Sequence, residues 1–188
     1  MAEPARKRAT YDDLYSIPEN MIGEIIDGEL FVSPRPSPRH SKASSVLSAG
    51  IVTPYQFGQG GPGGWIILYE VELKFAEECN PIVPDLSGWR IERFPETIDT
   101  NWISVPPDWV CEVLSPRTIR LDRVKKMAKY LKFDVQYVWL IDPSNKTLEV
   151  FRAESGRWVV LGVYAENDKV RAEPFQEIEI DLAGLWLG

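Results

Sequence analysis

The chain has 188 residues, among them two cysteines and one histidine, with 21 basic and 28 acidic side chains and a formal charge of −7. An apolar fraction of 44% with 26% charged residues excludes a globally disordered chain. The length predicts a single domain over residues 1–188, large enough to bury a core without metal or disulfide staples.

One histidine and two cysteines all but exclude a tetrahedral His/Cys zinc site and rule out a disulfide framework. A serine–histidine triad would have to use His40. The first eight residues are charged and no apolar run follows, so they do not read as a signal peptide. Residues 1–9 are expected to be flexible. The longest apolar stretch, Trp65–Tyr69, is far too short to span a membrane. These features predict a cytoplasmic protein with Cys79 and Cys111 reduced.

Thr10 with Asp13 three residues on predicts an N-capped short helix, closed by Pro18. Residues 24–32 read as a hairpin turning at Asp27-Gly28, a pair that suits a type I′ turn. Pro34, Pro36 and Pro38 interrupt regular structure until about residue 39, and a helix is predicted over 40–57. Gly58, Gly60, Gly61, Gly63 and Gly64 form a loop. No GK[ST] follows and the next segment is strand-like, so the loop is not a phosphate-cradling fingerprint. Strands are predicted over 65–75 and 81–89, with 91–107 irregular. The run 109–114, broken only by Glu112, suits a central strand buried on both faces.

Residues 119–133 form the clearest helix, with Leu121, Val124, Ala128 and Leu131 on one stripe. A strand over 136–141, a turn at 142–145 and an antiparallel meander over 148–152, 157–164 and 175–180 complete the chain. This order of elements predicts a mixed α/β fold with a central sheet.

The acidic total argues against broad affinity for nucleic acid. Yet residues 117–132 hold seven cations (Arg117, Arg120, Arg123, Lys125, Lys126, Lys129 and Lys132) and one acid, Asp122. That run is either a solvated helix face or a local phosphate-facing patch.

Two acids stand in strand-like apolar settings: Asp85 after Ile82-Val83-Pro84, and Glu112 between Cys111 and Val113. A buried carboxylate is costly unless it is paired, hydrogen-bonded or bound to a metal. Either each is a strand-end acid with an arginine partner, or the two together hold a hard divalent cation such as magnesium through oxygen. His40 reads as a phosphate contact or a support for that site, or as an ordinary helix-start residue. Trp109 and Trp139 are packing residues. Cys111 alternates with Glu112 and so points to the opposite sheet face, as a small buried hydrophobe.

Pro84-Asp85, Glu112-Val113-Leu114-Ser115-Pro116, Asp122-Arg123-x-x-Lys126-x-x-x-Tyr130 and residues 137–143 (YVWLIDP) occur in that order. With Glu24-x-x-Asp27-Gly28-Glu29-Leu30 and His40 ahead of them, the chain resembles the Uma-two family of restriction endonucleases, within the PD-(D/E)XK nuclease superfamily. The resemblance runs from about Thr10 to Trp186. It implies a restriction-endonuclease-like core, a central mixed β-sheet flanked by helices with extra antiparallel C-terminal strands, and a magnesium- or manganese-dependent endonuclease acting on DNA.

Asp85 and Glu112 match its metal-binding acids, helped by the backbone carbonyl of Val113, with Glu24 as a further ligand. The superfamily lysine belongs two residues after the second acid, where this chain has Leu114. Lys126 on the following helix matches the displaced lysine, with Lys125 as the alternative. On a helical wheel Lys126 shares a stripe with Asp122, Tyr130 and Phe133. If that stripe faces the sheet, Lys126 reaches the acids; if only the apolar stripe does, Lys126 is a solvated partner of Asp122. Arg117, Arg120, Arg123, Lys125 and His40 would contact the DNA. The acidic total favours a homodimer that combines two such faces. A non-catalytic nucleic-acid- or protein-binding module on the same fold fits the missing lysine at position 114. A hydrolase acting on a small substrate is a third reading.

Overall fold

Large apolar side chains at alternating positions build one six-stranded sheet with a helix against each face in the computed structural model, which describes residues 8–76 and 81–187. Residues 1–7 of the predicted flexible tail and Cys79 lie outside the described residues. Helix α1 (Tyr11–Leu14) precedes a hairpin of β1 (Met21–Ile26) and β2 (Glu29–Pro34). Helix α2 (Pro38–Ile51) runs into a π-helical turn, Val52–Gln56. Then come β3 (Trp65–Tyr69), β4 (Glu72–Leu73), β5 (Leu86–Arg90), β6 (Trp102–Ile103) and β7 (Trp109–Val113). A π-helical turn over Leu121–Lys126 leads into α3 (Met127–Lys132). The chain closes with β8 (Tyr137–Asp142), β9 (Thr147–Glu154), β10 (Arg157–Ala165), β11 (Lys169–Val170) and β12 (Ile180–Asp181).

The sheet order is β10-β9-β8-β7-β5-β3. Strands β7 and β8 are parallel and every other neighbouring pair is antiparallel. Parallel neighbours need a crossover, and α3 supplies it. This is the mixed α/β fold with extra antiparallel strands that the sequence predicts.

All five residues of β7 are buried. Trp109, Cys111 and Val113 face α2, where Ala43, Leu47 and Ile51 meet them, while Val110 faces Met127 and Tyr130 of α3. Alternation therefore turns Glu112 toward α3 and Cys111 away from it. Phe175 plugs the α2 face, its ring 4.7–5.6 Å from those of Tyr55, Trp65, Trp109 and Trp139.

Local signals for caps and turns hold. The backbone N–H and hydroxyl of Thr10 donate to the Asp13 carboxylate at 2.7 and 3.0 Å. Asp27 and Gly28 both have positive φ (56° and 75°), as a type I′ turn requires. The Asp142 carboxylate accepts the N–H groups of Ser144 and Asn145.

Longer segments differ. The predicted strand 65–75 breaks after Tyr69. Glu70 takes φ +46° and donates its N–H to the Asp85 carbonyl, and β4 leaves the sheet to pair in parallel with β6. Strand β6 lies within the stretch read as irregular. The predicted strand 81–89 begins only at Leu86, because Pro81 and Pro84 have no N–H to offer a ladder. Asp85 thus sits just ahead of β5 rather than inside a strand.

The helix read from residue 40 starts at Pro38, since Ser37 caps it and proline suits the first turn. It turns π-helical around Pro54, which has no N–H for the α pattern. Residues 175–179 are irregular, only the last residue of the stretch, Ile180, belongs to a strand (β12), and Phe175 packs inward instead of joining a meander. Among the described residues no helix is long and apolar enough to cross a membrane.

Replacing the plug, Phe175→Ala, is expected to lower the unfolding free energy by about 3–5 kcal/mol, read as a fall in the urea midpoint. An unchanged midpoint would show that the four surrounding rings do not depend on it.

Candidate active site

The π-helical turn before α3 decides which side of that helix meets the sheet. Its i→i+5 pattern puts more residues in each turn than an α-helix. Residues four apart then stay aligned, and Asp122, Lys126 and Tyr130 are buried. Of the two stripes left open by the sequence, the one with Lys126 faces the sheet; on the other, Leu121 packs against the core but Val124 is 61% exposed and Ala128 is exposed.

Lys126 reaches Glu112. Its Nζ lies 2.8 Å from Glu112 Oε1, 3.0 Å from Glu24 Oε1 and 3.7 Å from Asp122 Oδ1, and donates to the Val83 carbonyl at 3.1 Å. Three elements converge here: β1 brings Glu24, β7 brings Glu112 and the helix brings Lys126. Glu24 Oε1 also accepts the Val83 N–H at 2.8 Å, which ties β1 to the segment carrying Asp85. Tyr130 donates its hydroxyl to Glu112 Oε1.

Asp85 is held from two sides. Oδ2 accepts the Val113 N–H at 2.7 Å, and Oδ1 lies 3.0 Å from His40 Nε2. His40, in the first turn of α2, thus faces the aspartate, as a support for that site would, and among the described residues its buried Nδ1 has no hydrogen-bond partner. Glu24, His40, Asp85, Glu112, Asp122 and Lys126 all line one cavity of about 720 Å³.

Four of the carboxylates that line this cavity, Glu24, Asp85, Glu112 and Asp122, share it with the Lys126 ammonium, and the balance of burial and charge shifts Glu112, Asp122 and the lysine. Burial pushes the Glu112 carboxyl well up, although Lys126 opposes the shift. Burial likewise raises Asp122 to about 6. Burial alone would lower Lys126, but Glu112 and Glu24 overturn that and hold it charged, well above the usual lysine range. For His40, burial is outweighed by the hydrogen bond to Asp85 and the nearby acids, and its pKa rises.

A surplus of hard carboxylate oxygen fits a divalent cation such as magnesium or manganese. A soft metal fits less well, because Cys111 points to the other face with its thiol pushed well up by burial. Among the described residues no three His, Cys, Asp or Glu side chains are gathered into a ready-made metal cage; Lys126 occupies the space between Glu24 and Glu112.

The other candidates separate from this centre. Lys125, the alternative lysine, pairs with Glu29 at 2.7 Å and lies over the Phe31 ring, outside the cavity lining. Arg123 pairs with Glu149, and Lys129 with Asp27. The predicted basic patch is thus largely neutralised by acids of the hairpin and β9. Arg117 and Arg120 are exposed, and among the described residues neither forms an ion pair. Arg117 lines the cavity.

The sequence reading left Glu70 and Glu72 out of the site, though both line the cavity. Two acids at alternate positions of an otherwise apolar run were the signal available for them.

The sequence profile of one family, Uma2, described as “Putative restriction endonuclease”, matches residues 8–183. A crystal structure described as “a putative nuclease belonging to DUF820 from Anabaena variabilis ATCC 29413” is similar to this chain. Its TM-score is 0.72 and its sequence identity 26%, over 94% of this chain and 96% of that one. Comparison with curated proteins gives no match.

Asp122 carries a measurable consequence of the crowded charge. Its pKa is raised on folding from 3.8 to about 6, so between those values the native state binds more protons than the unfolded state and stability falls as pH rises. The Asp122→Asn variant is therefore expected to gain on the wild type from about pH 4 to about pH 6, by on the order of 2–3 kcal/mol. Urea unfolding across that range measures it, and a flat difference would show an unperturbed carboxyl.

Proposed function

The chain belongs to the Uma2 restriction-endonuclease family, and from its site we propose that it is a metal-dependent endonuclease that hydrolyses DNA phosphodiester bonds. The observation that carries this reading is the ammonium of Lys126, 2.8 Å from Glu112 and in the same cavity as Asp85. Leu114, at the place where the superfamily motif has its lysine, is buried in the core against α3. Lys126 supplies the missing cation from the opposite direction, off the helix.

Asp85, Glu112 and the Val113 carbonyl, with Glu24, are the groups that would hold magnesium or manganese. The bound ion would lower the pKa of a water and offset charge on the phosphate. The remaining work falls to the chain's own side chains. Lys126 keeps a fixed positive charge beside these acids, which offsets the charge that builds on the phosphate's non-bridging oxygens. The water oxygen bonds to phosphorus, the P–O ester bond opposite breaks, and the water's proton passes through solvent to the leaving oxygen. Tyr130 holds the Glu112 carboxylate, and the Val113 N–H and His40 hold that of Asp85. The exposed cations Arg117 and Arg120 meet backbone phosphates. A homodimer would bring two such sites to one DNA, which suits a chain of net negative charge.

Circular DNA, both single-stranded and plasmid, incubated with magnesium, with manganese or with chelator tests this reading, because cutting a circle is endonucleolytic. Metal-dependent cleavage by the wild type is expected. Asp85→Ala and Lys126→Met should each lose about 10²–10³-fold in rate, with the fold checked by circular dichroism. Equal cleavage by the wild type and Asp85→Ala would overturn the assignment. No cleavage of either circle would leave a binding module on a nuclease fold.

A further inference from the structure

The acids and the lysine line a half-open cavity and are themselves largely buried. The Glu112 and Lys126 side chains are 3% and 2% exposed, and those of Asp85 and His40 13% and 11%. We propose that the DNA reaching them is single-stranded: an unpaired nucleotide enters the cavity, with its phosphate met by Arg35 and Arg117 at the rim. The proposal rests on the nuclease reading above and names its substrate class.

Depth is the first argument. A phosphodiester has to come inside the cavity to touch Lys126, and the phosphates of a base-paired helix are held on the outside of a thick, stiff cylinder. Size is the second. The cavity of about 720 Å³ falls among pockets of roughly 300–1,000 Å³ that enclose one small ligand. It takes a nucleotide or two, not a duplex. A duplex substrate would first have to unstack and extrude its target, at an energetic cost that an unpaired strand avoids.

Charge is the third argument. Duplex binding draws its affinity from many simultaneous phosphate contacts. Here Arg123, Lys125 and Lys129 are already tied to Glu149, Glu29 and Asp27. The cationic rim is short. Arg35 comes from the proline-rich segment ahead of α2 and Arg117 from the loop after β7; both are exposed, and both line the cavity. Glu19, Glu70 and Glu72 share this lining, and its apolar part includes Leu14, Ile17 and Pro36. Such a surface packs against the face of any base and reads no sequence, as single-strand binders do.

The test compares one fluorescent DNA oligonucleotide as a single strand and as a blunt duplex. Binding is measured by anisotropy in chelator, and cleavage with magnesium or manganese. The single strand is expected to bind at least ~10-fold tighter and to be cut faster. Arg35→Ala and Arg117→Ala should each weaken single-strand binding and flatten its log–log salt dependence by ~0.7. Duplex bound as tightly or cut as fast, no binding of either form, or unchanged binding by the double variant would each overturn the proposal. Tight single-strand binding without cleavage would uphold the strand preference and remove the nuclease reading instead.

Discussion

One ammonium group sits among carboxylates from three separate elements, and much of the surrounding structure answers to it. Taking a charge out of water costs several kcal/mol even after relaxation. Lys126 is 2% exposed, so it is tolerable only with close partners. Glu112 and Glu24 supply them at 2.8 and 3.0 Å, with Asp122 further off at 3.7 Å and the Val83 carbonyl as a neutral acceptor. The arrangement is not charge-balanced. Glu112 and Asp122 are driven toward protonation, while the lysine is locked in its charged form. That imbalance is poor design for stability alone. It suits a site whose negative charge is to be met by something arriving from outside.

The fold makes this possible through departures from regular structure. A plain α-helix over residues 119–133 would favour its apolar stripe against the sheet. The π-helical turn instead aligns Asp122, Lys126 and Tyr130 inward and leaves Val124 and Ala128 to solvent. On the sheet side, Pro81 and Pro84 delay the start of β5, so Asp85 stays off the ladder and its carboxylate can take the Val113 N–H. Glu112 needs no such device, because strand alternation alone turns it toward α3. The two acids are thus presented differently, one by a regular strand and one by the interruption of another.

The hairpin links the site to the surface. Glu24 on β1 faces Lys126 inside, while Asp27 and Glu29 at its turn bind Lys129 and Lys125 outside. Exposed pairs of this kind contribute little to stability, roughly 0–1 kcal/mol each. Their larger effect is on the electrostatic surface, since they cancel a run of positive charge that the linear sequence displays as a patch.

The sequence by itself was enough for whatever is local or strictly periodic. The Thr10 cap, the Asp27-Gly28 turn, the buried β7 strand, the opposite faces of Cys111 and Glu112, and the α/β order of elements all follow from short-range chemistry. Motif order also marked Asp85, Glu112, Lys126 and Glu24, which the structure gathers around one cavity. What lay beyond reach depends on contacts between distant residues. The break at Glu70 is coupled to Asp85 fifteen positions on in the chain. His40 meets Asp85 only because α2 packs beside the sheet, and the basic helix is neutralised by acids of β9 and the hairpin. Which stripe of that helix faces inward could not be read from a wheel drawn at 3.6 residues per turn, because burying a lysine becomes favourable only once Glu24 and Glu112 are already in place to receive it.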